Sequence, residues 1–308
     1  MCLMNAPRRR LFFCLFWWLN TGYSAAQEKV VTASTQAAPP WLTFRLDERL
    51  SVALPRPPYQ QDMSSLAGPY QVEGYYTVTP LTVITLVRAT IPANYQASTG
   101  QNGPEVLYTS LTQRLLTGLR AVRTEQTTVR LGQYEGLAVR FRMQEPDSVF
   151  KGGTMWIFKF GSSLCFLSSM LRQTGGVAAQ DEQKRFLASF EAHDTPFAPP
   201  TPADLTRFRQ GTFRYNNGQG AERNTIIQRQ DTVQIETTSD GGRRLVFGLR
   251  WTADGYILTR RKTSLDLNEQ ILVGKPMNVQ VTGVQGNRYH YRASLLGLIF
   301  TGEIQRTN

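Results

Sequence analysis

Apolar positions fall mostly in short runs rich in β-branched and aromatic residues, and two stretches with helical spacing interrupt them. RLSVAL (residues 49–54) and GYYTVTPLTVITLVRATI (74–91) carry the β-branched and aromatic content of strands, with Pro80 marking a turn between two of them. Gly103 and Pro104 open a helix, because the first turn does not need the N–H that proline lacks. Leu107, Leu111, Leu115, Leu119 and Val122 then give it one apolar stripe. Strands are predicted from Thr127 (TTVRL), Leu137 (LAVRFRM) and Gly153 (GTMWIFKF), the last turning through Gly161-Ser162-Ser163 into LCFLSSML. A second helix is predicted from near Ala178, with Phe186, Leu187 and Phe190 on one side and its acids ahead of its bases, as the helix dipole favours. A sheet whose helices must each bury a face predicts an α+β layer sandwich over residues 42–192.

The pattern then changes. HDTPFAPPTPAD, residues 193–204, holds four prolines in the ten residues from 195, which predicts an extended linker belonging to neither core. Beyond it the texture is β throughout: eight short segments, from GTFRYN to LIFTGEI, are separated by turn signals such as NNGQG, SDGG and ADG, which predicts a small all-β barrel or sandwich over 205–308. Alternation is clean in RRLVFGLRW, where Leu245, Phe247, Leu249 and Trp251 share one face. Charge divides at the same place. Residues 27–204 hold 16 Lys/Arg against 15 Asp/Glu, and 205–308 hold 15 against 8, so the second half carries most of the formal charge of +11 that the signal segment does not.

The address is read from the first 26 residues: Arg8-Arg9-Arg10, the apolar run LFFCLFWWL, then NTGYSAA. This is the layout of a secretory signal peptide cleaved before Gln27, and nine apolar residues are too few for a membrane-spanning helix, which needs about 20. A polar N-terminal segment, 27–41, follows. The expected product is exported, periplasmic or extracellular, and is not an integral membrane protein. Cys2 and Cys14 fall in the signal, so Cys165 is the one cysteine of the mature chain, and its apolar surroundings predict a buried core thiol.

FRLDERLSVALP, LGQYEGLAVRFRM, MWIFKFGSSLCFLSSML and DEQKRFLASFEA resemble, in order and spacing, the PsbP-like extracytoplasmic domains. That resemblance covers about 42–192 and implies an α/β/α sandwich with binding or scaffold work and no catalytic residues. GTFRY at 211–215, IIQR ending at Arg229, QIE at 234–236, Trp251 with YIL at 256–258, and ILVGK at 271–275 resemble small lipocalin-like bacterial β-barrel domains of unassigned function.

No catalytic constellation is recognisable, no cofactor is implied, and two histidines with one mature cysteine offer no short-spaced metal-ligand pair. The candidate ligand site is Arg229, Gln234 and Glu236, with Trp251 and Tyr256. Across a hairpin turn at Gln230-Asp231, strand alternation puts Arg229, Gln234 and Glu236 on one face and Ile226, Val233 and Ile235 on the other. The polar face either points into the barrel, where it makes a ligand site, or is a solvated outer face with a weak ion pair. Arg243, Arg244, Arg260, Arg261 and Lys262 form a candidate surface for an anionic partner. Nucleic acid is not expected, because Tyr289 and Tyr291 alternate with Arg288, His290 and Arg292 and so place rings and cations on opposite faces. The expectation is a non-enzymatic binding or scaffold protein of the cell envelope that takes a small or anionic ligand or an envelope protein partner. The alternative is an envelope hydrolase with dispersed carboxylates.

Overall fold

The structure is a computed structural model that describes residues 41–62, 71–90, 103–193, 197–215, 225–238, 244–261 and 272–307. The expected signal peptide, its cleavage point before Gln27 and most of the polar segment lie outside the described residues. The chain forms two compact units. One spans residues 60–188, and the other joins residues 39–59 to 189–308. The composition boundary at 193–204 is therefore not where the units divide. The first described strands, β1 (Leu42–Arg45) and β2 (Leu50–Leu54), belong with the C-terminal unit, and β3 (Tyr59–Gln61) straddles the boundary in sequence.

The first unit is built on β4 (Gln71–Val78), β5 (Thr82–Thr90), β6 (Ala121–Leu131), β7 (Tyr134–Met143), β8 (Phe150–Phe160) and β9 (Ser163–Arg172), with α1 (Gly103–Leu119) and α2 (Gly176–Ala188). Its six strands run antiparallel in the order β4-β5-β9-β8-β7-β6. β5 and β9 are buried almost continuously rather than at alternate positions, as strands covered on both faces are. On one face, Tyr108, Leu115 and Leu116 of α1 pack with Val83, Ile157, Phe166 and Met170. The face carrying Thr154 and Ser169 meets α2, where the Gln183 amide donates to the Ser169 carbonyl at 2.9 Å and accepts from the Thr154 hydroxyl at 3.2 Å. Cys165 is a fully buried cysteine of this sheet. The strand expected from Thr127 begins at Ala121. The chain leaves α1 through Arg120 at φ 51°, and the Arg-Thr-Glu-Gln half of β6 is exposed, so it lacks the apolar alternation that would have revealed it.

The second unit contains β10 (Glu191–Ala192), α3 (Pro202–Arg207), β11 (Gly211–Tyr215), β12 (Thr225–Gln230), β13 (Val233–Thr238), β14 (Arg244–Trp251), β15 (Gly255–Arg260), β16 (Pro276–Gln285), β17 (Arg288–Leu295) and β18 (Leu298–Arg306). Strands β11 to β18 pair each with the next, all antiparallel, and β11 pairs back onto β18, which closes an eight-stranded barrel. All eight segments expected from the sequence are present. Phe213, Ile227, Leu249, Leu258, Val279 and Ile304 fill its interior, as the period-two pattern requires. Among the described residues three helices stand against eighteen strands, so the chain is mostly β rather than evenly α+β.

The proline-rich stretch is not a free linker. Residues 194–196 lie outside the described residues, but Ala198 forms a two-way backbone bridge to Val284 at 3.1 and 2.7 Å, and the Phe197 ring stacks on His290 with centroids 3.4 Å apart. Gly283, at a bulge in β16, permits this approach: a Cβ there would lie 2.6 Å from both Phe197 and Glu48. Nor is the texture β throughout beyond residue 204. Thr201 and Asp204 form a reciprocal capping box with Pro202 in the first turn, and α3 carries Leu205 and then Phe208 into the barrel core, where Phe208 is fully buried. The Thr-Pro-Ala-Asp signal is present in the sequence but is masked by its proline-rich setting. Phe208→Ala is expected to destabilise the barrel unit by about 3–5 kcal/mol, measured by urea unfolding.

Candidate functional site

Strand alternation in the β12–β13 hairpin puts Thr225, Ile227 and Arg229 inward and leaves Ile226, Gln228 and Gln230 outside, with Arg229 opposite Gln234 in the register. Of the two orientations open from the sequence, the polar face is the interior one: Arg229 is 2% exposed and Gln234 1%. Arg229 lies where Phe208 closes the barrel. Its Nε donates to the Gln234 side-chain oxygen at 2.7 Å, Nη1 to the Phe208 carbonyl at 3.3 Å, and Nη2 to the Tyr256 and Tyr289 hydroxyls at 2.7 and 2.6 Å. The rings of Phe213, Trp251, Tyr256 and Tyr289 surround the guanidinium carbon at 4.5–5.8 Å. Burial works against the charge, but the surrounding oxygens more than offset it and hold the arginine above its ordinary value. Burial pushes the Tyr289 phenol well up, so it is a neutral hydrogen-bonding group at physiological pH. The Gln234 amide passes the polarity onward by donating to Glu236 Oε1 at 2.7 Å, and the Tyr215 hydroxyl donates to the same oxygen at 3.2 Å. A buried cation is thus joined to a carboxylate through one amide.

This network leaves one face toward an interior cavity of about 320 Å³. Gln234, Glu236 and Tyr256 line it, and Leu245, Phe247, Leu258, Met277, Val279 and Leu295 contribute to its apolar wall. Of the five expected ligand residues, these three reach the cavity. Arg229 is committed to protein partners, and Trp251 packs on Tyr256 at 5.0 Å between ring centroids, so both support the floor instead of contacting a ligand. Sequence reasoning missed Tyr215, which also lines the cavity, and Phe208 and Tyr289 beneath it. Tyr289 could have been found by the same alternation that placed Tyr289 and Tyr291 on one face.

The expected surface for an anionic partner divides. Arg244 and Arg261 are exposed, whereas Arg243 and Lys262 lie outside the described residues. Arg260 is not a surface residue. It is 7% exposed and lines the cavity with Lys275, because in β15 it shares the inward parity of Tyr256 and Leu258.

A second polar cluster lies on the outer side of β17 and β18. His290 is 1% exposed, with Nδ1 at 2.5 Å from Glu48 Oε2 and Nε2 at 3.1 Å from Glu303 Oε2. Arg292 Nη2 donates to the Leu46 carbonyl at 3.0 Å, and Arg45 N–H donates to the Thr301 hydroxyl at 2.7 Å. These bonds fasten the turn between β1 and β2 to the barrel wall. Burial would raise the Glu48 carboxyl, but hydrogen bonds from His290 and Thr282 and the charges of His290 and Arg45 bring it below the ordinary value. Nearby, His193 Nε2 lies 2.8 Å from the Ser51 hydroxyl, and burial, with Arg45, lowers the imidazole below its ordinary value.

Two outcomes follow from these groups. Arg229→Met is expected to cost about 3–5 kcal/mol in urea unfolding, because Gln234 and two phenols would lose their buried partner. Stability should also fall on acidification in two ranges. The depressed histidine contributes fully above about pH 6.5 and loses its contribution as the pH falls below that. The depressed Glu48 contributes above the ordinary carboxylate range and is lost below it. His193→Gln should remove the upper range of the loss and leave the lower one, measured by unfolding across a pH series.

No family model matches the chain, and no curated protein matches it. Among solved structures, cyanobacterial PsbP (CyanoP) from Synechocystis sp. PCC 6803 is similar over 53% of this chain and 98% of its own, at 8% identity and a TM-score of 0.39. PA94 from Pseudomonas aeruginosa, a protein of unknown function, is similar over 47% of this chain and 91% of its own, at 8% identity and a TM-score of 0.28. The chain is thus distantly similar to PsbP over half its length and carries a closed eight-stranded antiparallel barrel in its C-terminal part.

Proposed function

We propose that this is an exported, non-enzymatic binding protein of the cell envelope, in which a PsbP-like domain accompanies a lipocalin-like barrel that takes up one small, mostly apolar ligand. The cavity carries this reading: about 320 Å³ falls within the size range of small-molecule sites, and its largely apolar wall is set with polar groups, Gln234, Glu236 and Tyr256 at the floor and Arg260 and Lys275 among the rest. The polar floor is pre-organised. Arg229 holds Gln234 and Tyr256 in place, so a ligand would not have to order them. Among the described lining residues Glu236 is the one carboxylate, which does not favour the paired-carboxylate hydrolase.

The test is titration of the full chain with an uncharged fluorescent apolar probe such as N-phenyl-1-naphthylamine. Saturable binding is expected at one site, and Ala293→Phe, which fills the cavity from a buried lining position, should weaken it at least about 10-fold while leaving a native unfolding transition. Equal probe binding by the native-folded variant would refute the cavity as the site.

A further inference from the structure

The barrel's outer surface has two unlike walls. Along β17 and β18 it is covered by the segment fastened at His290. Along β11 to β15 no described segment is hydrogen-bonded over it, and the register arranges its outward residues in rows. Arg214, Ile226, Thr237 and Arg244 form one row across four strands. Gln228, Ile235 and Val246 form the next, continued by Arg261, whose N–H bonds the Val246 carbonyl. Val233 and Gly248 follow, and Arg250 pairs with Ile257 beyond them.

Arg214, Arg244, Arg250 and Arg261 are all exposed, and no Asp or Glu occupies an outward strand position of this wall. Of the acids at its turns, Glu222 and Asp240 lie outside the described residues, and the two described ones are engaged: Asp231 accepts from Gln210 at 2.5 Å, and Asp254 from Thr252 and Gln280 at 3.1 and 3.2 Å. Between the arginines lies an apolar stripe of Ile226, Ile235 and Val246, with Ile226 44% exposed. At ordinary strand spacings the four cations are spread over about 15 by 20 Å.

We infer that this wall docks the protein on a bilayer surface rich in anionic phospholipid. The spread of charge suits several separate phosphates in one plane, since a single compact anion could not meet all four guanidinium groups. The exposed isoleucine between them suits shallow insertion at the headgroup boundary, for which a soluble polyanion offers no counterpart. The inference uses none of the cavity residues and stands apart from the ligand reading.

Sedimentation with vesicles tests it, using the full chain and the chain starting at Gln27. Vesicles of equimolar phosphatidylglycerol and phosphatidylcholine should bind the protein, pure phosphatidylcholine should not, and added salt should release it. Replacing Arg214, Arg244, Arg250 and Arg261 together by Gln should lower partitioning by roughly 1000-fold. Replacing Arg114, Arg123, Arg142 and Lys151 by Gln removes the same charge from exposed positions of the first unit and should have far less effect. Unfolding transitions confirm that both variants are native. Absence of binding to the anionic vesicles overturns the inference, as does an equal loss in the two variants, which would make net charge the cause.

Discussion

A guanidinium cannot be deprotonated away inside a protein, so the barrel's closed end must be organised around the charge of Arg229. Four segments meet that demand. β12 carries the arginine, β13 supplies Gln234, β15 and β17 supply the two phenols, and the residue ending α3 gives a main-chain carbonyl. The aromatic rings exclude water, which strengthens every one of these bonds and makes the loss of any partner costly. The floor of the cavity is therefore a consequence of satisfying one buried cation, and the polar groups presented upward, Gln234 and Tyr256, are held by their other ends.

The second constraint is chain connectivity. The C-terminal unit includes residues 39–59, so its parts are separated in sequence by the whole of the unit spanning 60–188. β2 pairs with β1 on one side and with β10 on the other, a pairing that spans well over a hundred residues. Closing so long a loop is entropically unfavourable and slow, and it is compensated by the His290 cluster and by the buried residues of β2. The proline-rich stretch has a corresponding role. Stiff extended backbone needs little ordering to lie along β16 between the Phe197 stack and the capping box of α3.

The barrel then has distinct surfaces built on a single alternation. Inward positions give a largely apolar cavity over a polar floor, and outward positions give one wall covered by the turn between β1 and β2 and one wall of exposed arginine and branched apolar side chains. A one-residue slip in any of β12 to β15 would exchange the cavity lining with that wall, so packing of the interior also maintains the outer surface.

By itself, the sequence determined the eight barrel strands, the two long helices and the shared face of Arg229, Gln234 and Glu236, because period-two and period-3.6 patterns are local. It could not say which face of that hairpin is inside. Ile226, Val233 and Ile235 are as apolar as a core face, and only closure of the barrel, with aromatic rings and a helix end gathered from distant segments, makes burying the charged face favourable. It misplaced Arg260 because a run of basic residues reads as surface, whereas strand parity turns one of them inward. It also took the prolines for a domain border. Composition records backbone stiffness, but whether a stiff segment hangs free or lies on a neighbouring strand depends on the glycine at 283 and the ring of His290, which tertiary contacts alone bring to it.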